Sequence, residues 1–252
     1  MEKTFAGKTA IVTGGGSGIG QSTAILYAAM GANLVVTDIN EKDGADTVDK
    51  IKAAGGNAIF VKTDVSKPED CANMVEKTLE AYGSLDMAFN NAGIGGEANA
   101  IADMSIEGWN KIIAVNLSSV FYCMKYEIAA MLKSDKGAIV NMSSILGSVG
   151  FANSAGYVAA KHGVIGLTQN AALEYSAKGV RINAVGPGFI NTPLLSKAGM
   201  DDGVKQYLAK MHPIGRLGES GEVAELVVWL SSDKASFVTG SYYPVDGGYL
   251  AQ

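Results

Sequence analysis

Cysteine and histidine are scarce in this chain of 252 amino acids, with two residues of each. Cys71 and Cys123 do not form a Cys-x-x-Cys motif, so we expect inert thiols in a reducing compartment, with one disulfide as the alternative. His162 and His212 are too few and too far apart in sequence for a zinc site. We therefore predict a protein without a metal centre.

Long apolar runs and blocks of positive charge are also missing. No run approaches the ~20 apolar residues that a membrane-spanning helix needs, and residues 1–10 lack the basic-then-apolar order of a signal peptide. The formal net charge of −5 is spread along the chain, without a basic block to bind nucleic acid or anionic lipid. We expect a soluble cytoplasmic protein with no nucleic-acid or membrane partner.

Charged residues make up only 18% of the chain, against the ~25% typical of soluble domains. Extra burial at subunit contacts and an alanine- and glycine-rich core explain this deficit equally well. The length suits one large α/β domain, although length alone also admits two smaller ones.

Short apolar runs alternate with segments of helical spacing along the whole chain. Because parallel neighbours in a sheet need long crossovers, this alternation predicts one doubly wound parallel sheet with helices on both faces, in a single domain over residues 1–252. Residues 188–218 interrupt the rhythm, and we expect a substrate-binding lid there. The predicted strands are 9–13, 33–37, 58–62, 85–89, 138–142, 180–185 and 242–245, and the longest predicted helices are 106–133 and 155–177.

A glycine-rich turn, Thr13-Gly14-Gly15-Gly16-Ser17-Gly18-Ile19-Gly20, follows the first predicted strand. Residues without a Cβ let the backbone approach a pyrophosphate, and the next helix directs its free N–H groups at the same place. Such a turn is a weak signal alone, but here the strand, the helix and an acid at the end of the next strand agree. The predicted cofactor-binding residues of the turn are Gly14, Ser17, Gly18, Ile19 and Gly20.

The acid at the end of the second strand is Asp38. A carboxylate at this place accepts hydrogen bonds from the adenosine ribose and repels a 2′-phosphate. No arginine or lysine adjoins it in the sequence, and the turn offers Ser17 instead of a basic residue. We therefore predict NAD(H) over NADP(H), with a helix N-cap or an ordinary loop acid as the alternative role of Asp38.

Two further strand ends carry polar residues at the edge of the sheet where ligands bind. Asp64 and Val65 follow the third strand, and the sequence Asn90-Asn91-Ala92-Gly93 follows the fourth. Asp64 is a candidate for binding adenine and Asn90 for bracing the turn; both are also common turn residues.

Tyr157 and Lys161 are four positions apart in a predicted helix, so they share one face. Oxidation of an alcohol needs a base at its oxygen, and a free tyrosine, with a pKa near ~10, is too weakly acidic for that role at neutral pH. An ammonium group within about 6 Å, together with a positive nicotinamide, favours the phenolate and is expected to lower its pKa. Ser144, after the strand at 138–142, offers a hydroxyl that can donate to and accept from the substrate oxygen.

Together these motifs resemble the short-chain dehydrogenase/reductase superfamily, in its common form of about 250 residues, over essentially the whole chain. The glycine motif matches Thr13, Gly14, Gly18 and Gly20; the Asn-Asn-Ala-Gly motif matches residues 90–93; and the helical asparagine matches Asn116. The serine falls on Ser144 rather than Ser143, and Tyr157 and Lys161 match the Tyr-x-x-x-Lys pair. Gly186 departs from the pattern, which has a larger small residue before Pro187-Gly188, and predicts a more pliable loop.

The resemblance implies a Rossmann fold and a role for each matching residue. Tyr157 would be the general acid/base, Lys161 would lower its pKa and bind the nicotinamide ribose, and Ser144 would orient the substrate oxygen. Asn116 would hold a water of a proton relay. The cofactor would also contact Asn91, Ala92, Gly93 and Ile190. Pro187, Gly188 and Thr192 match the segment that contacts the nicotinamide carboxamide. The family implies a homotetramer, with the helices at 106–133 and 155–177 packed between subunits.

The sequence favours a dehydrogenase for an alcohol or carbonyl compound with an apolar pocket. The residues expected to line that pocket are Ile94, Ile145, Leu146, Val149, Phe151, Phe189, Leu194 and Leu195, with Met200, Tyr207 and Met211 as lid candidates. They indicate a hydrophobic, cyclic or steroid-like secondary alcohol or ketone rather than a sugar. The alternatives are an NADPH-dependent 3-oxoacyl-carrier-protein reductase, a catalytically silent nucleotide sensor, and an epimerase or dehydratase on a related fold.

Overall fold

The computed structural model describes residues 3–197 and 201–252. Seven strands form one parallel sheet in the order β3-β2-β1-β4-β5-β6-β7. The strands are β1 (Thr9–Thr13), β2 (Asn33–Asp38), β3 (Asn57–Lys62), β4 (Met87–Asn90), β5 (Gly137–Met142), β6 (Val180–Pro187) and β7 (Tyr242–Val245). The predicted parallel α/β fold is therefore confirmed.

Helices cover both faces of the sheet, as a parallel sheet with continuous apolar strands requires. Residues of α1 and α9 pack in one apolar core and residues of α3, α5 and α6 in the other. The helices are α1 (Gly18–Ala29), α2 (Glu41–Ala53), α3 (Pro68–Tyr82), α4 (Ile106–Ile113), α5 (Ser119–Met131), α6 (Ala155–Tyr175), α7 (Pro193–Lys197), α8 (Asp202–Lys210) and α9 (Ser220–Ser231).

The winding of the sheet reverses between β1 and β4, which are neighbours although two strands separate them in sequence. Chains leave such neighbours in opposite directions, so a crevice opens at their carboxyl ends, where ligands bind. The turn after β1 and residues 90–93 after β4 both lie at this crevice.

The predicted long helix over residues 106–133 is interrupted. A π-helical turn, Ala114–Ser118, separates α4 from α5 and contains the buried Asn116. The prediction was wrong here because one extra residue in a turn hardly alters the apolar periodicity along the chain. Such turns are frequent at functional sites.

Residues 188–218 leave the sheet after β6, form α7 and α8, and return to the point of departure. Ile190 pairs with Gly218; the Asn191 N–H donates to the Gly218 carbonyl (2.8 Å), and the Gly218 N–H to the Phe189 carbonyl (3.0 Å). We call these contacts the neck. Met200 lies outside the described residues.

None of the helices within residues 3–197 and 201–252 has the length and apolar character needed to cross a bilayer.

Candidate active site

The turn after β1 has a backbone that side chains would obstruct. Gly14 and Gly18 have φ angles of +61° and +53°, in the left-handed region that glycine adopts freely. A Cβ at Gly20 would collide with the Gly14 carbonyl oxygen. Ser17 precedes α1 without a side-chain capping bond, and no acid lies in the first turn of the helix. The N–H groups at this helix start are therefore available to an anion such as a pyrophosphate, and the turn fits a dinucleotide.

Asn91, rather than Asn90, braces this turn. Its Nδ2 donates to the carbonyls of Thr13 (2.9 Å) and Gly14 (3.2 Å), while the N–H groups of Asn91 and Ala92 donate to Thr13 Oγ1. Asn90 points into the core, where its Nδ2 donates to Glu127 Oε2 and Asn141 Oδ1, both at 3.0 Å. The expected role of Asn90 is thus filled by its neighbour.

Asp38 is half-buried at the end of β2 and is held by backbone donors. Its Oδ2 accepts from the Gly16 N–H (3.0 Å) and its Oδ1 from the Asn40 N–H (2.9 Å). The N-cap of α2 is Asn40, so the capping alternative for Asp38 is wrong. Lys62 of β3 lies opposite Asp38 in the strand register, a neighbour that the linear sequence does not reveal. Its ammonium group pairs with the carboxylate of Glu41 at 2.9 Å.

Asp64 and Val65 make contacts that stabilise the turn and the core of the protein. The Asp64 Oδ1 atom accepts from the hydroxyl (2.6 Å) and the N–H (3.1 Å) of Ser66, as in a common turn. Val65 is buried in the core beside Cys71. Neither residue lines the main cavity described below.

The structure brings Ser144, Tyr157 and Lys161 together at one wall of the crevice. Tyr157 and Lys161 project from α6, with Lys161 Nζ 5.5 Å from the centre of the tyrosine ring. Lys161 is buried, and its Nζ donates to the Met142 carbonyl at 2.8 Å.

Burial controls the acidity of this group. It raises the pKa of Tyr157, which the Ser144 hydroxyl lowers to a smaller extent. Burial also lowers the pKa of Lys161 to about 8. In the protein alone, loss of solvation therefore outweighs the other influences on the phenolate and the pKa of Tyr157 is raised. The predicted lowering of this pKa by Lys161 together with a positive nicotinamide stays a prediction.

The choice of Ser144 over Ser143 agrees with their contacts. The Ser143 hydroxyl is buried and donates to the Lys161 carbonyl (2.9 Å), so it ties β5 to α6. Both serines line the cavity, but the Ser144 Oγ accepts only a backbone bond, from the Leu146 N–H at 3.2 Å, and its hydroxyl proton stays available to a substrate. Sequence reasoning missed Tyr242, whose hydroxyl donates to the Ser144 carbonyl at 2.8 Å.

The side chain of Asn116 holds the backbone of Ile94 through two hydrogen bonds. Its Oδ1 accepts from the Ile94 N–H and its Nδ2 donates to the Ile94 carbonyl, both at 2.8 Å. The π-helical turn therefore fixes the loop after β4. A Cβ at Gly93 would lie 3.1 Å from Asn116 Oδ1 and 3.8 Å from Lys161 Nζ, so the absence of a side chain lets the loop approach both residues. The expected water-binding role of Asn116 remains a prediction.

A cavity of about 250 Å³ connects these parts. It extends from Ile19 of the turn, past Asn91 and Gly93, to Tyr157 and Lys161. Its other walls contain two sets of expected residues. The expected cofactor contacts are Pro187, Gly188, Ile190 and Thr192. The expected apolar residues are Ile94, Ile145, Leu146, Phe151, Phe189, Leu194 and Leu195. Of the other pocket candidates, Val149 and Met211 do not line it, and Tyr207 is largely exposed.

The two histidines differ in environment. His162 is exposed and bonds to the Val158 carbonyl. His212 is buried under the pocket wall: its Nε2 accepts from the Phe189 N–H at 3.1 Å, and its Nδ1 lies 2.8 Å from the Leu208 carbonyl. These contacts require a neutral ring with the proton on Nδ1. In the part of the chain described, no three His, Cys, Asp or Glu side chains cluster in a way that could hold a metal ion.

A dinucleotide turn joined by one cavity to a half-buried tyrosine and a buried lysine and serine defines a nicotinamide-dependent oxidoreductase. A family model described as enoyl-(acyl carrier protein) reductase matches residues 14–250. The chain belongs to the short-chain dehydrogenase/reductase family, and it is an alcohol dehydrogenase of that family.

Several relatives are similar over nearly their whole length. The chain is 52% identical to a cyclohexanol dehydrogenase of Acinetobacter sp. (strain SE19) over 252 residues, which is all of this chain and 98% of that protein. It is 47% identical to a 2,5-dichloro-2,5-cyclohexadiene-1,4-diol dehydrogenase of Sphingobium indicum, with 98% of each chain covered. The crystal structure of levodione reductase superimposes with a TM-score of 0.95 at 35% identity, covering 98% of this chain and 99% of that one.

Proposed function

We propose that this protein oxidises a six-membered-ring secondary alcohol to the ketone, with NAD+ as the hydride acceptor. The observation that carries the proposal is the cavity, whose walls beyond Ser144 and Tyr157 are mainly apolar. Relatives that act on cyclohexanol, a chlorinated cyclohexadienediol and cis-4-hydroxycyclohexanecarboxylate support the ring.

The proposed chemistry divides among three side chains. Ser144 holds the alcohol oxygen, Tyr157 as phenolate removes the hydroxyl proton, and Lys161 stabilises the phenolate by its nearby charge. When bound, the nicotinamide supplies the acceptor for the hydride from the carbinol carbon. Apolar walls exclude water and keep the ring in place, and Asn116 holds the loop that closes one side.

The preference for NAD rests on Asp38. Its carboxylate is fixed beside Gly16, where the adenosine ribose of a dinucleotide on this turn would lie. A 2′-phosphate there would meet this negative charge, while Lys62, the register partner of Asp38 on β3, is paired with Glu41.

The proposal is tested by kcat/KM for NAD+ and NADP+ with cyclohexanol, a substituted cyclohexanol, a steroid alcohol and a polyol. We expect NAD+ and the ring alcohols to be preferred, and Tyr157→Phe to abolish turnover while NADH still binds. An NADP+ preference would refute the cofactor assignment and favour the carrier-protein reductase. A polyol as the best substrate would refute the apolar pocket, and turnover by Tyr157→Phe would refute the proposed base.

We also propose one domain, with residues 188–218 as its lid, assembled as a homotetramer. Large apolar side chains that are exposed on α4, α5 and α6 support this assembly: Ile106, Trp109, Phe121 and Leu173. We expect a mass near four times 26.0 kDa by light scattering, and Phe121→Glu to lower it. A monomeric wild-type protein would contradict the proposal.

A further inference from the structure

Tyr242, on the edge strand β7, reaches across β6 to the end of β5. Its register partner is Ala184 of β6, yet its hydroxyl donates to the carbonyl of Ser144, which follows β5, at 2.8 Å. The tyrosine thus spans the width of one strand and bonds to the backbone of the serine beside the reacting oxygen.

This path is open because residue 186 is a glycine. Gly186 lies two residues after Ala184, on the same face of β6, directly below the tyrosine ring. A Cβ at this position would fall well inside contact distance of Tyr242 Oη, Cε2 and Cζ. The glycine that departs from the family pattern therefore accommodates an aromatic ring, and the expectation of a pliable loop is replaced by a close packing contact.

We propose that Tyr242 is a positioning residue for the dehydrogenase reaction, with Gly186 as the residue that makes room for it. This inference rests on the proposed role of Ser144. The Ser144 Oγ accepts from the Leu146 N–H, and its carbonyl accepts from Tyr242, so the residue is held on both sides of its Cα. The same carbonyl also accepts from the Gly147 N–H at 2.8 Å, so loss of the Tyr242 hydroxyl removes one of its two bonds. The serine is then held less firmly, and its hydroxyl is less well aligned with the substrate oxygen.

The first test compares Tyr242→Phe with wild type. We expect kcat to fall about fivefold, as for the loss of one hydrogen bond worth ~1 kcal/mol, with the Kd for NADH within about twofold. Tyr243→Phe is the matched control on the same strand, since successive side chains of a strand point to opposite faces and Tyr243 packs against one of the apolar cores. It should keep the wild-type kcat. A folded Tyr242→Phe protein with wild-type kcat would overturn the inference.

A double-mutant cycle tests whether Tyr242 acts through Ser144. Ser144→Ala should lower kcat strongly, and adding Tyr242→Phe should lower it no further. An equal fivefold loss in both backgrounds would show that Tyr242 acts elsewhere and would overturn the inference. If Ser144→Ala itself keeps full activity, the proposed role of the serine fails, and the inference fails with it. This result differs from a failure of the inference alone, in which Ser144→Ala is impaired but Tyr242→Phe keeps the wild-type kcat.

The last arm tests the glycine by rescue. Gly186→Ala should lower kcat at least as much as Tyr242→Phe, because the new methyl group displaces the ring. In a Tyr242→Val background, where the ring is gone, Gly186→Ala should cause no further loss. If Gly186→Ala is as active as wild type, or if it is equally harmful in the Tyr242→Val background, the proposed pairing of the two positions is wrong.

Discussion

At the scale of single residues, burial opposes the charges that the reaction needs. Tyr157 is less acidic than a free tyrosine, and the pKa of Lys161 is lowered to about 8 because both groups have lost water. The protonated lysine remains close enough to the tyrosine ring, at 5.5 Å, to favour the phenolate. The rate of alcohol oxidation should therefore rise with pH.

Lys161→Met tests this electrostatic coupling. Without the ammonium group the pKa of Tyr157 goes up, so the rising limb of the kcat/KM profile moves to higher pH by about one unit or more. At pH 7 we expect a loss of at least about a hundredfold, the scale of general acid–base catalysis. The pH profile of cyclohexanol oxidation measures both effects, with NADH binding as a check of folding. An unshifted profile would contradict the coupling.

Which residues meet at the site was predictable from short motifs, because strand ends and helix faces are local features. Ser144, Tyr157 and Lys161 follow from a strand end and a four-residue spacing. Tyr242 and Lys62 were not predictable, because each reaches its neighbour across the sheet, where strand order and register decide the contact. The direction of the Tyr157 pKa shift also needed the structure, since it depends on burial.

At the scale of elements, one buried side chain, His212, connects two parts of the segment 188–218 in addition to the neck. His212 follows α8; its Nε2 accepts from the Phe189 N–H and its Nδ1 bonds to the Leu208 carbonyl of α8, so it joins the pocket wall to this helix. The Phe189 ring in turn packs edge-on against Phe151, with centroids 6.0 Å apart. The position of Phe189 in the pocket wall is therefore fixed by His212 and Phe151.

His212→Leu should loosen this wall and leave the reacting groups in place. We expect KM for cyclohexanol to rise about three- to tenfold while kcat stays within about twofold, because roughly one hydrogen bond that orients Phe189 is lost. Steady-state kinetics with saturating NAD+ measure the split. A fall in kcat at unchanged KM would show that His212 supports the reacting groups instead. His162→Leu, on the exposed face of α6, is the control and should change neither constant.

The order of strands and helices was predictable because periodicity and glycine turns are repeated in every βα unit. The π-helical turn at Ala114–Ser118 was not, since a single extra residue is absorbed within an otherwise regular apolar pattern. This π-helical turn places the Asn116 side chain within hydrogen-bond distance of the Ile94 backbone while the chain continues in the same direction from α4 to α5.

At the scale of the whole molecule, Glu127 of α5 is a buried acid, and no cation pairs with it within residues 3–197 and 201–252. Glu127 of α5 is fully buried, and burial raises its pKa to about 7; the bond from Asn90 is the only opposing influence. The groups around it are uncharged: Asn90 of β4 bonds Asn141 of β5, and Cys123 lies one turn away, its pKa raised well above normal by its contact with Cys71 of α3 and by burial.

This acid predicts how stability changes with pH. A carboxyl group with a pKa near 7 in the fold and 4.5 when unfolded binds more protons in the folded state, so stability is lost as pH rises from about 4.5 through about 7. Relative to Glu127→Gln, the wild-type protein should lose on the order of 2–3 kcal/mol of unfolding free energy between pH 4.5 and pH 8. Urea unfolding at equal protein concentration measures this difference. Parallel pH curves for the two proteins would contradict it.

The neck at Ile190 and Gly218 has a consequence for how such a dehydrogenase changes its substrate. Because the segment leaves and re-enters the sheet at one hydrogen-bonded point, residues 191–217 form a cassette whose ends have a fixed separation. A different segment grafted between these two anchors would present new pocket walls to the same tyrosine, lysine and serine. Such an exchange would replace the cavity wall at Thr192, Leu194 and Leu195 and keep the wall at Ile94, Ile145, Leu146 and Phe151, so one side of the pocket can change independently of the reacting groups.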